Sequence, residues 1–129
     1  MIVLKNVTQI RLAEAVHVDQ DRLGALYSQM DADSAEDVVC RAMEELALRM
    51  GHCDRQYRAG DLGALHKSSK SLIAIADQIG MTVLAGVARD VATCAKTGDL
   101  VALAATLGRL MRTGEGSLSA IWELQDVTI

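Results

Sequence analysis

The chain has 129 residues and a net charge of −4, enough length for one domain with a real core. It holds 19 alanines, one tryptophan, two tyrosines, no phenylalanine and no proline, a balance that favours helices over strands. The charge argues against a nucleic-acid binder, no apolar run is long enough to span a membrane, and Cys40, Cys53 and Cys94 form no Cys-x-x-Cys pair, which fits a reducing cytoplasm.

Residues 1–16 read as an arm that packs on the rest, extended over 1–7 and forming a short amphipathic turn over 8–16. The first residues lack the charged-then-apolar order of a signal peptide. Asp19 then opens a short helix with Leu23, Leu26 and Met30 on one face. In the second helix Asp33 or Ser34 is the expected cap, each with an acidic residue three positions on. Its apolar positions, Val39, Met43, Leu46, Met50, Cys53 and Tyr57, alternate four and three apart. That is a heptad seam, and it calls for packing against other helices.

Residues 59–65 read Ala-Gly-Asp-Leu-Gly-Ala-Leu and residues 97–103 read Thr-Gly-Asp-Leu-Val-Ala-Leu. In both, a helix is expected to end on Gly (Gly60, Gly98) and a new one to be capped by Asp (Asp61, Asp99). The third helix runs from Leu62 to about Ile79, with a seam of Leu62, Leu65, Ser69, Leu72, Ala76 and Ile79. His66, Lys70, Ile73 and Asp77 fall on a neighbouring line at the edge of that stripe, predicted to be accessible. The fourth helix, capped by Thr82, buries Leu84, Val87, Val91 and Ala95 and stops at Gly98. The fifth starts at Asp99 with Leu100, Leu103, Leu107 and Leu110 inward. Gly114-Glu-Gly116 is expected to kink it before it resumes through Leu118, Ile121, Trp122 and Leu124. Such short connections force antiparallel neighbours. The expected fold is all-α: a single domain over residues 1–129, an up-down-up-down antiparallel four-helix bundle preceded by a short N-terminal helix and arm.

Residues 19–112 resemble the histidine-containing phosphotransfer domain of bacterial phosphorelays. The likeness lies in the short helix, the heptad helix before Gly60, the Gly-Asp-Leu-Gly-Ala-Leu entry to the third helix, Ile79-Gly80 at its end, and residues 95–103. In that family the third helix carries His-x-x-Lys-Gly-Ser, with an Ile/Leu-Gly about ten residues after the His. Counting back from Gly80 places Lys70 in the acceptor slot, Ile73 where the accompanying Lys stands, and Ala74 where the Gly stands. A relay histidine offers a neutral ring nitrogen to an aspartyl phosphate, and an ammonium has no lone pair to offer.

The resemblance therefore implies a signalling domain that binds a receiver domain or a histidine kinase without carrying phosphate. The expected contact surface is His66, Lys70, Ile73, Ala74 and Asp77. Ile73 would be the apolar anchor, Ala74 would allow close approach, and Lys70 would face the acidic pocket of a receiver. A looser register makes His66 the acceptor, followed by Ser69 and Lys70; His66 otherwise reads as an ordinary surface histidine. A third reading, outside phosphorelays, is a helical assembly module that dimerises through its Trp122 end. As a signalling domain the chain is expected to be a monomer or a weak homodimer.

Other chemistry finds little support. Glu14 and His17 form one Glu-x-x-His, whereas di-iron bundles need two, so neither a metal nor another cofactor is expected. Gly114-Glu-Gly116 follows no strand and is no nucleotide loop. His52 and Cys53 are adjacent on a helix and point apart. Glu44 and Glu45 read as a solvated face, Met43 and Met50 as core, and Cys53 as a buried, inert thiol.

Overall fold

The computed structural model describes residues 20–29 and 31–128, all but a few of them helical. The arm over residues 1–16, His17, Asp19 and Met30 lie outside the described residues, as do the side chains of Leu23, Trp122 and Leu124. Five helices follow one another: α1 Gln20–Gln29, α2 Ala32–Arg58, α3 Leu62–Gln78, α4 Thr82–Thr97 and α5 Leu100–Thr128. No strand occurs among the described residues. Helix α2 packs on α3, α3 on α4, α4 on α5, and α5 returns to α2, closing the bundle; α1 leans on α2.

The heptad seam of α2 holds. Val39, Met43, Leu46, Met50 and Cys53 are buried, and Tyr57 is half-buried against the same core. Across from them lie Leu65, Leu72, Ala76 and Ile79 of α3, then Leu84, Val87, Val91 and Ala95 of α4. Leu103, Leu107, Leu110 and Ile121 of α5 complete the interior. Ser69 occupies a fully buried seam position, and its hydroxyl donates to the Leu65 carbonyl at 2.8 Å, so no polar group is stranded there.

The repeated hinge behaves as its sequence predicts. Asp61 Oδ1 accepts from the Ala64 N–H at 3.0 Å, and Asp99 Oδ1 from the Ala102 N–H at 3.1 Å. Gly60 and Gly98 take φ of 72° and 75°, where a side chain would be strained. Between them, Gly80 turns α3 into α4 with φ 78°, and the Met81 N–H reaches back to the Ala76 carbonyl at 2.9 Å.

Four local expectations are corrected. The cap of α2 is Asp31, not Asp33 or Ser34: its carboxylate accepts from the Ser34 N–H at 2.8 Å and from the Ser34 hydroxyl at 3.0 Å. Ala32, a strong helix former, extends the helix back to meet it. Helix α4 is capped at Met81 with no side-chain bond, and Thr82 is already helical. Leu100 is 62% exposed, and burial along α5 begins with Leu103. Gly114-Glu-Gly116 does not break α5, which runs through it as one helix.

Candidate functional site

The edge line of α3 comes out as its spacing predicts. Lys70 is exposed, while His66, Ile73 and Asp77 are half-buried where α3 meets α4. Ile73 rests its inner side on the core. Ala74 is exposed on the same helix.

His66 is fixed from the neighbouring helix. Its Nδ1 lies 2.9 Å from the carbonyl oxygen of Ala92 in α4. A carbonyl only accepts, so this contact puts a proton on Nδ1, and the neutral form of the ring would keep its lone pair on Nε2.

Three of the five expected surface residues line one open groove of about 430 Å³ between α3 and α4: His66, Lys70 and Ile73. The opposite wall comes from α4, with Arg89, Ala92, Thr93, Lys96 and Thr97. The lining thus carries two lysines, an arginine and a histidine, and no carboxylate. On a chain of net charge −4 this is a local reversal of sign. The hydroxyls of Thr93 and Thr97 bond back along their own helix, donating to the Arg89 carbonyl at 3.0 Å and the Cys94 carbonyl at 3.4 Å.

Asp77 closes one end of the line. Its Oδ2 receives a hydrogen bond from Arg89 Nη2 at 3.0 Å, and its Oδ1 lies 4.0 Å from Arg22 Nη1 of α1. Arg22 also donates to the backbone carbonyl of Asp77, near the C-terminus of α3. Asp77 is therefore an organiser of cations rather than a free acidic contact.

Arg89 and Lys96 were not among the sequence candidates. Their signal was present: with Thr93 between them they form an i, i+4, i+7 line beside the buried stripe of α4, the same pattern as His66, Lys70 and Ile73 on α3. Only the docking of α4 on α3 makes the two lines one surface.

Nothing else among the described residues gathers comparable chemistry. No three His, Cys, Asp or Glu side chains come together as a metal-ligand set. Cys53 is fully buried, and burial pushes its thiol above the ordinary range against smaller opposing effects of Ser69 and Arg49. Among the described residues no helix is long and apolar enough to cross a membrane.

No family model and no curated protein matches this sequence. Among solved structures, the chain is similar to histidine-containing phosphotransfer protein B of Pseudomonas aeruginosa PAO1, with a TM-score of 0.80 over 88% of this chain and 97% of that one. The fold is that of a histidine-containing phosphotransfer protein. At 20% identity the likeness is one of architecture. In a phosphotransfer-type bundle the groove between α3 and α4 lies on the helix where the sequence resemblance put the acceptor slot, and Lys70 is the exposed residue there.

Proposed function

We propose that the chain is a phosphotransfer-type docking domain of a two-component or phosphorelay system. It binds a receiver domain or a histidine kinase through the α3–α4 groove and does not carry phosphate itself. The observation that carries this reading is the position of Lys70. It is exposed, stands in the slot that the resemblance gives to the acceptor histidine, and shares a groove with Arg89 and Lys96. An ammonium there attracts an acidic partner surface and offers no lone pair for a covalent phosphoryl intermediate. Ile73 supplies apolar contact at the same place, and Ala74 leaves room for a partner to approach.

The test is a pair of measurements on receivers from the same organism: affinity, and transfer of labelled phosphate from the phosphorylated receiver. Binding without label on this chain is the expected result. Absence of binding across the receivers and kinases overturns the docking role.

A second reading, phosphotransfer through His66, is favoured by one observation. The Ala92 carbonyl holds the ring with Nε2 as the nucleophilic nitrogen. It requires acid-labile label on this chain that disappears in His66→Gln. Assembly through the Trp122 end makes a different demand, a mass that rises with concentration in light scattering.

A further inference from the structure

We infer that the α3–α4 groove is a non-covalent phosphoryl site, taking a phosphoryl group that is carried on the partner protein. The inference rests on the docking role proposed above and adds what the groove distinguishes: the phosphorylated partner from the unphosphorylated one.

The lining is one-sided in charge. Lys70 enters from α3, and Arg89 and Lys96 enter from α4. A compact dianion can therefore be met from both walls. An ammonium offers three donors and a guanidinium five, and neither accepts. The threonine hydroxyls on the α4 wall already donate to backbone carbonyls, which leaves the cations as the recognising groups.

Asp77 does not cancel this field. The carboxylate lies outside the groove lining and engages Arg89 through Nη2 alone. Its bond to Nη2 fixes the Arg89 guanidinium on one side and leaves further N–H groups of the same planar fork for a ligand. The groove is also open, as a group mounted on another protein requires.

A phosphoryl group carries about −1.5 to −2 charges and three strong acceptor oxygens. The aspartate from which it is built carries a single charge and two oxygens. Cations on two walls therefore favour the phosphorylated form, and the contact stays non-covalent because Lys70 gives no attacking lone pair.

The experiment titrates the full chain with receiver domains in two states, unmodified and loaded with beryllofluoride, which mimics the aspartyl phosphate. The loaded form is expected to bind about tenfold tighter. That ratio is expected to fall to about one in Lys70→Met and to survive in Lys70→Arg. It also shrinks as salt is raised, since the cations are exposed.

Equal affinity for the two states overturns the phosphoryl site and leaves the docking role standing. Failure of both states to bind overturns the docking role and this inference with it. A preference that persists in Lys70→Met overturns the assignment to this groove. Inorganic phosphate, titrated alone and followed by amide shifts, is expected to act only at millimolar levels, on the amides around Lys70 and Lys96. Tight binding of the free ion would make that ion the ligand and overturn the partner-carried assignment.

Discussion

Met50 of α2 lies across Gly114 of α5: a Cβ built on Gly114 would overlap its Sδ and Cε. Met50 is 4% exposed, so its flexible thioether end must swing aside within the core. Gly114→Ala is expected to cost about 1 kcal/mol, from about 2 kcal/mol of overpacking offset by about 1 kcal/mol of better helix propensity. Met50→Ala alone is expected to cost about 2–4 kcal/mol. Denaturant unfolding of the double variant should then show a loss smaller than the sum by about 2 kcal/mol, the overpacking that Met50→Ala relieves. Strictly additive losses would mean that the two residues do not interlock.

A pH dependence follows from the cap of α2. The Ser34 N–H and hydroxyl hold the Asp31 carboxyl below its usual 3.8. A carboxylate depressed on folding adds stability above its unfolded value and loses it as pH falls through the folded value. The difference in melting temperature between the native chain and Asp31→Ala is expected to be full near about pH 6 and to narrow below about pH 4. Thermal unfolding followed by circular dichroism checks this; a constant gap would sink it.

The core was legible because burial imposes a period. The 4-3-4-3-4 spacing of α2 and the seam of α3 each admit one inward face, and that face is the buried one. Local chemistry was less decisive. Asp31, Asp33 and Ser34 are all good capping residues, and the choice fell to how far back Ala32 carries the helix. The glycines near residue 114 looked like a weak point because the partner of one was invisible: Met50, 64 positions earlier, fills the space that Gly114 leaves. Arg89, Lys96 and the Arg22–Asp77 contact escaped for the same reason, since each depends on how separate helices dock.

Reversing the charge at Lys70 is expected to weaken receiver binding. Lys70→Glu should lower affinity by about 1–2 kcal/mol, with most of the change in the association rate. The residue is exposed and lies outside the core, so the fold should be unaffected. Surface plasmon resonance at two salt concentrations separates the effects. An unchanged association rate would place the partner elsewhere.

The contact between His66 and Ala92 makes a spectroscopic prediction. Long-range proton–nitrogen spectra of the neutral ring should show the proton on Nδ1 and the lone pair on Nε2. The opposite tautomer would mean that the ring does not donate to Ala92. It would also remove the argument for His66 as an acceptor.

Every groove residue lies between the Gly60 and Gly98 hinges, on two helices joined through Gly80. The groove is thus the property of a single contiguous hairpin over residues 62–97, while α2 and α5 supply the platform behind it. Its lining depends on contacts between two helices adjacent in sequence. The outer edge of the hairpin can therefore change its chemistry while the inward seams that seat it on the platform stay as they are.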